Sequence, residues 1–319
     1  MLAMSRILVV HNPRSNKGGK YYTIMDRWLQ VGNRGDGVEF AEVTDLEDTA
    51  LPEERLVVAG GDGTISSALE WLYARGGECP VGLIPAGTAN CLAAGFGLPK
   101  ENQHLCEIAF SGTRSRPLDI LTYRVPAEER VRLILQSSSL GLPANVAADY
   151  ERLRQRRLHR MLFRLLGDFS YTLLGMLEIR AQRKRESRGE PVLNARVAFP
   201  PGEEEHDFEG DVLAMFIHNE RATGGNLVPC PRALVDDGLM DICIFRASTG
   251  HSYLKMLRRL AKGRHLEEEE VVLYHQSKGP LQVSLSFSQP FNSDGDIWVE
   301  SAEYEIALES GRFEIFVGQ

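Results

Sequence analysis

The first 125 residues alternate short apolar runs with stretches of helical spacing. Arg6 to Val10 reads as a strand that stops at Asn12-Pro13, and Lys17 to Gln30 reads as a helix. Val38 to Val43 is a second strand, entered through the turn sequence Gly-Asn-Arg-Gly-Asp-Gly at 32–37. Leu56 to Ala59 is a third and runs straight into Gly60-Gly61-Asp62-Gly63-Thr64. Ile65 to Ala74 is helical, Val81 to Ile84 is a fourth strand ending in Pro85-Ala86-Gly87-Thr88, and another helix opens near Ala89. Strands this apolar, each separated by a helix, predict a parallel, Rossmann-like sheet covered on both faces. Ligands of such sheets bind beyond the carboxyl ends of the strands, where both glycine-rich turns fall.

After about Tyr123 the pattern changes. Strand-like segments follow one another at 132–136, 194–198, 212–218, 240–245, 281–287 and 303–307. This succession predicts an antiparallel β-sandwich, interrupted by helical inserts at 150–180 and 252–263. The expected division is an α/β domain over 1–123, completed by the closing segment 306–319, and a β-sandwich domain over 124–305. The acidic run Glu267 to Glu270 reads as a solvated turn.

Composition narrows the picture. Hydrophobic residues make up 43% of the 319, enough to bury a core. No run of 18 apolar residues exists, so no transmembrane helix is expected, and the apolar run at 7–10 is too short for a signal peptide. Five cysteines are scattered without a paired spacing, which predicts neither a disulfide framework nor a zinc site and fits a reducing cytoplasm. The net charge of −8 argues against a nucleic-acid partner. Yet Glu151 to Arg188 holds eleven Lys and Arg against four Asp and Glu, a basic island in an acidic chain.

The turns carry the candidate chemistry. Three glycines around an acid, between a buried strand and a helix, let the backbone approach a phosphate. The amides of the following helix favour an anion, and Asp62 is suited to Mg²⁺ bridging phosphates. Pro85 to Asn90 repeats the design one strand later, with Thr88 either a phosphate ligand or a plain helix cap. Asn12-Pro13 ends the first strand on the same edge.

In its ordered motifs the chain resembles the diacylglycerol kinase catalytic-domain family, which includes bacterial lipid kinases and is related to sphingosine and ceramide kinases. The motifs are Asn12-Pro13, Gly60 to Thr64, Pro85 to Asn90 with Leu98-Pro99, Leu118-Asp119, and Asn219 with Gly224-Gly225, Pro229 and Asp237-Gly238-Leu239. Asp294-Gly295-Asp296 completes the set. The resemblance implies a lipid kinase that transfers the γ-phosphate of ATP, with Mg²⁺, to a lipid hydroxyl such as that of diacylglycerol, in phospholipid metabolism. It implies nucleotide contacts at Asn12, Gly60, Gly61, Asp62, Gly63, Thr64, Gly87, Thr88 and Asn90. It implies catalytic roles for Asp62, Asp119 and Asp296, the last as general base, and a structural Mg²⁺ at Asp237 and the main chain of Leu239. Read without the resemblance, Asp119 is a strand-end carboxylate, Asp237-Gly238 a tight turn and Asp294-Gly295 an ordinary hairpin turn.

Three positions depart from the family pattern. Cys91 stands where the family has Asp, Asp296 where it has Glu, and Gly141-Leu142-Pro143-Ala144 where it has a second glycine and an acid. They motivate the alternative of a non-catalytic lipid- or nucleotide-binding relative. A NAD kinase shares the first glycine motif but not the Pro85–Asn90 or Asp294–Asp296 motifs. In the basic island, Leu158, Leu162, Leu165, Phe169, Leu173 and Met176 fall on one helical stripe beside Arg152, Arg154, Arg156, Arg157, Arg160 and Arg164. The stripe either packs on the sandwich or, with Arg154, Arg156 and Arg157, docks on anionic lipid. The resemblance thus implies an enzyme peripheral to the inner face of a membrane. Neither the identity of the lipid nor the oligomeric state is legible.

Overall fold

The computed structural model describes all residues except 1–5, 14–17, 32–34, 88–89, 127, 129, 157–168, 224–226, 248–252 and 319. Two units divide the chain. The first comprises 1–120, 235–238 and 309–319, and the second 121–234 and 239–308.

The first unit is built on parallel strands. β1 (Ile7–His11) lies between β2 (Val38–Glu42) and β3 (Arg55–Gly60), and β3 pairs next with β4 (Val81–Pro85). The last part of β13 (Asp296–Phe316) adds to β4, with Ile315 opposite Val81. β1, β3 and β4 are apolar on both faces, as a covered parallel sheet requires, with Leu8, Val9, Leu56, Val57 and Val58 wholly buried, while the edge strand β2 exposes Glu39 and Glu42. Helices α1 (Gly18–Gln30), α2 (Asp62–Ala74), α3 (Cys91–Gly95) and α4 (Asn102–Ser111) complete the unit. One core packs Met25, Leu29, Val57, Ile84 and Phe110 together, and Trp28 stacks on Phe110 at 5.2 Å.

The second unit is antiparallel. β6 (Arg132–Ile134) pairs with β5 (Ser115–Arg124). β7 (Ser137–Gly141) is a central strand between β9 (Phe208–His218) and β12 (Leu281–Ser293). β8 (Asn194–Ala198) pairs with the early parts of β9 and β12, so those two long strands each serve β8 and then β7. β10 (Met240–Arg246) and β11 (Val272–Ser277) extend the other side of β9. The apolar face between these strands holds Tyr123, Phe291 and Tyr304 in a run of ring contacts at 4.4 and 4.9 Å. Each such pair contributes about 0.5–1.5 kcal/mol beyond its buried area. α5 (Leu142–Arg154) packs on β7, β12 and α6 (Phe169–Glu186), and α7 (Tyr253–Leu260) covers a smaller core around Phe216 and Phe245.

Several expectations are corrected here. The Rossmann-like parallel sheet is met in part: β1 to β4 pair in parallel, but they continue through β13 into strands that pair antiparallel, as expected of the second unit, so the parallel portion is the smaller one. The segment 235–238 belongs with the first unit. β7 and β11 were not expected as strands. Of the basic stripe, Leu158, Leu162, Leu165, Arg157, Arg160 and Arg164 lie outside the described residues, as does the side chain of Phe169. Met176, expected on the apolar stripe, is 38% exposed, and Ile179 is buried instead. No helix of the described residues is long and apolar enough to cross a membrane.

Candidate functional site

The sequence reading starts the second helix at Ile65. The structure starts it at Asp62, so Asp62, Gly63 and Thr64 form its first turn. Gly61 precedes it in extended conformation, and its carbonyl accepts from the amides of Thr64 (2.9 Å) and Ile65 (3.1 Å). The Gly87 turn runs alongside, tied by Ala86 N–H to the Gly60 carbonyl at 2.7 Å. A Cβ on Gly87 would stand 2.6 Å from the Gly61 Cα, and one on Gly61 would stand 3.1 Å from the Gly87 Cα. Two backbones in contact leave no room for side chains, so this pair must be glycine. Gly63 is different: open space lies where its Cβ would be.

Asn90 closes the second turn. It adopts φ +51°, accepts from Gly87 N–H at 2.8 Å and donates to the Gly87 carbonyl at 3.1 Å. Asn12 reaches the same place, its Nδ2 donating to Thr64 Oγ1 at 3.4 Å. Asn12, Gly60, Gly61, Asp62, Gly63, Thr64, Gly87 and Asn90 are therefore neighbours in one unit, and Thr88 lies outside the described residues. The result is a glycine-rich pair of turns at the N-terminus of a thirteen-residue helix, where backbone amides favour an anion.

Asp119 is buried on β5 in the same unit. Its Oδ2 accepts from Gly238 N–H at 2.6 Å, and its Oδ1 accepts from Gly311 N–H at 2.6 Å and Ser310 Oγ at 3.0 Å. Three charge-assisted bonds tie two distant segments, Gly238 and Ser310-Gly311, to one carboxylate. Beside it Arg116 holds Asp236 at 2.5 Å. Asp237 is exposed and Leu239 half-buried at the following turn. Among the described residues no group of three or more His, Cys, Asp or Glu side chains converges as a metal would require.

The Asp-Gly-Asp turn lies in the second unit, at the β12–β13 junction. Asp294 adopts φ +49° and its carboxylate accepts three successive amides, from Leu135 (2.8 Å), Gln136 (3.0 Å) and Ser137 (2.9 Å). Its own amide donates to the Ser137 carbonyl. Asp294 is thus a structural clamp on the β6–β7 connection, not an exposed turn acid. Asp296 is left at the surface. Loss of hydration raises its carboxyl above the usual Asp range, Glu151 on α5 adds to this, and Arg154 opposes it.

Comparison with known proteins fits both halves of this arrangement. Residues 6–123 match the family described as the diacylglycerol kinase catalytic domain. Residues 144–303 match the YegS C-terminal NAD kinase beta sandwich-like domain. A protein of Pseudomonas aeruginosa PAO1 named probable lipid kinase YegS-like is 31% identical over 76% of this chain and 69% of its own length. The chain belongs to the diacylglycerol kinase catalytic-domain family. Its enzyme class is that of the lipid kinases, and the kinase family implies use of a nucleotide. A Stenotrophomonas maltophilia protein of the same name is 28% identical over 81% of this chain and 76% of its own length. The fold is that of a diacylglycerol kinase from Bacillus anthracis strain Sterne, with a TM-score of 0.66 at 13% identity, covering 100% of this chain and 98% of that one.

The departures from the family pattern have local explanations. Gly141-Leu142-Pro143 is a helix start: Gly141, at φ +73°, precedes α5, and a Cβ there would meet the Leu213 carbonyl at 2.7 Å. Pro143 sits in the first turn, where its missing N–H costs nothing. Cys91 opens the five-residue helix α3 directly after Asn90. Sequence reasoning missed the clamp formed by Asp294, because three amides gathered from 135–137 leave no periodic signal in the chain.

Proposed function

We propose that the protein transfers the γ-phosphate of ATP to a hydroxyl of a membrane lipid such as diacylglycerol. The observation that supports this reading is the close packing of the Gly61 and Gly87 turns at the N-terminus of α2, which brings two glycine backbones together where helix amides favour an anion. Gly60, Gly61, Gly63 and Gly87 are assigned to the phosphate chain, with open space beside Gly63; α2 amides take its charge, and Asn12 and Asn90 hold the two turns in place. Mg²⁺ suits the site through Asp62, since that ion is commonly bound by one or two carboxylates plus substrate phosphates. When bound it neutralises the charge that develops on the transferred group.

Asp296 is assigned as the base that accepts the lipid hydroxyl proton. A raised pKa brings a carboxylate nearer to the operating pH and makes it a better acceptor. Asp119 acts by position: its carboxylate accepts from Gly238 N–H and its amide donates to the Val235 carbonyl, fixing the turn where Asp237 and the Leu239 carbonyl are assigned to a structural Mg²⁺. Lipid contact is assigned to the second unit, with the enzyme peripheral to the membrane and the basic segment that begins with Arg154, Arg156 and Arg157 assigned to anionic lipid.

The test is transfer of labelled γ-phosphate from ATP to a total lipid extract, with the labelled product identified. Phosphorylation of a lipid hydroxyl dependent on Mg²⁺ is expected. ATP turnover indifferent to lipid, or no turnover with any lipid, refutes the assignment.

A further inference from the structure

Residues 199–207, which connect β8 to β9 in the second unit, are knitted by their own bonds. Phe199 N–H donates to Asp207 Oδ1 at 2.8 Å, and the amides of Glu203 and His206 donate to the Pro200 and Glu203 carbonyls, each at 3.0 Å. The connection meets β11 through rings. His206 stacks on His275 with centroids 3.5 Å apart, and Phe199 stands nearly perpendicular to His275 at 5.1 Å. The same three rings line a cavity of about 310 Å³, together with Phe208, Ile242, Ile244 and Leu273.

Charge decides when this stack holds. Two neutral imidazoles stack without penalty, whereas two imidazolium ions at that spacing repel. Each ring also has a carboxylate of its own: His206 Nε2 lies 3.5 Å from Glu205 Oε1, and His275 Nε2 lies 3.7 Å from Glu203 Oε2. The other charged and titratable groups around the stack are committed or balanced. Asp207 accepts from Phe199 N–H and Glu204 from Gly202 N–H, Glu209 of β9 and Arg246 of β10 line the cavity with opposite signs, and the Tyr274 hydroxyl of β11 donates to Asp241. Glu203 and Glu205 therefore favour one proton on the pair, and that proton opposes a second. His275 is the ring that resists. Loss of hydration holds it below the ordinary His range, the His206 charge adds to this, and Glu203 and Glu205 oppose it. A His whose folded pKa is lowered favours the seated connection above the unfolded value of about 6.5 and loses that contribution as pH falls.

We propose that the His206–His275 stack is an acid-released latch: it holds the 199–207 connection against β11 while at most one ring is charged, and a second proton frees the connection and opens the cavity. The apolar lining, Phe199, Phe208, Ile242, Ile244 and Leu273, is what the release exposes. The latch is independent of the kinase assignment, and its readout involves no phosphate transfer.

The full-length protein, labelled with ¹⁵N at histidine, is titrated by NMR from about pH 8 to about pH 4.5, across the range in which histidine changes charge. Binding of the dye anilinonaphthalene sulfonate reports exposed apolar surface in parallel, and far-ultraviolet circular dichroism reports the strands. His206 and His275 should titrate more than about one pH unit apart, as strongly coupled groups do, with dye binding rising at the second step and the dichroism unchanged. His206→Phe keeps a ring in the stack that cannot be charged. In that variant the His275 titration should move up by at least about half a unit, and the dye step should disappear. Glu203→Gln should move both the His275 titration and the dye step to lower pH. No dye step in the parent, a dye step that coincides with loss of dichroism, a dye step that survives His206→Phe, or a His275 titration unmoved by that change overturns the latch.

Discussion

The glycine turns of the first unit and the Asp-Gly-Asp turn of the second solve opposite problems. At Gly61 and Gly87 side chains are removed so that two backbones touch, and what remains for chemistry is main-chain amide. At 294–296 a side chain replaces missing backbone pairing, since Asp294 takes three amides that no strand partner supplies. The first turn leaves a surface ready for an anion. The second commits one acid fully and leaves the next at the surface with a raised pKa. Two acids two residues apart are therefore separable: one clamps the fold, and the other is the one proposed as base.

The largest effect expected is at Asp296. Asp296→Asn lowers lipid phosphorylation by roughly 10²–10⁴-fold, the contribution of a positioned base. Its effect on stability runs the other way. A carboxyl whose folded pKa is raised favours the protonated state, so it contributes stability below the unfolded Asp pKa of about 3.9 and loses it as pH rises through the folded value. At neutral pH the Asn variant is therefore at least as stable as the parent by thermal melting. The same raised pKa places the acid limb of the rate–pH profile above the ordinary Asp range, and that limb vanishes in the variant. A rate close to the parent's removes Asp296 from the base role.

Asp294→Ala tests the partner acid and should do the reverse. It leaves three amides of 135–137 without their acceptor, at about 1.5–3 kcal/mol for each hydrogen bond to a charged group before relaxation and water recover part of it. A net loss of about 3 kcal/mol in denaturant unfolding is expected. The fraction that stays folded should retain much of its turnover. If unfolding stability is unchanged, the clamp is not what holds the β6–β7 connection.

Gly87→Ala comes next. Its Cβ would fall 2.6 Å from the Gly61 Cα and 2.8 Å from Asn90 Oδ1, so one turn must give way. A cost of about 1–3 kcal/mol fits an added methyl in a closed site. Nucleotide affinity should fall at least tenfold by titration calorimetry, whereas Gly63→Ala, pointing into open space, should fold as the parent does. Equal affinities for Gly87→Ala and the parent would separate the glycine contact from nucleotide binding.

Much of this was legible in the chain, for physical reasons. The parallel strands of the first unit are apolar on both faces and flanked by glycine turns, so their limits fall within a residue or two of those expected. β7 was not legible. Its Ser137-Ser138-Ser139 run looks like loop, yet it is buried between β9 and β12, and Ser138 satisfies its hydroxyl on the Ile217 carbonyl at 2.7 Å. Polar composition signals exposure only when the hydroxyls have no internal partner. Nor could spacing reveal that Asp119 accepts bonds from Gly238 and from Ser310 and Gly311, residues far along the chain. Motifs mark where acids stand, and tertiary pairing decides which of them remain available.

Cys91→Asp has the smallest expected effect and sharpens the comparison from the glycine side. Cys91 is the first residue of α3, half-buried, next to the Asn90 that closes the Gly87 turn. An acid in the first turn of a helix is favoured by about 0.3–1 kcal/mol, and α3, with five residues, gives the lower end. Partial burial of the new carboxylate opposes that gain. The two nearly cancel, so the melting temperature should stay close to the parent's. The chemistry should respond more clearly than the stability. A second carboxylate beside the Gly87 turn adds attraction for a divalent cation bound with the nucleotide, so half-maximal rate should be reached at a few-fold lower Mg²⁺ concentration, with kcat kept or modestly raised. If the Mg²⁺ requirement is unmoved and the fold intact, position 91 does not face the metal that travels with the nucleotide. The first unit would then offer its phosphate surface through backbone and Asp62 alone.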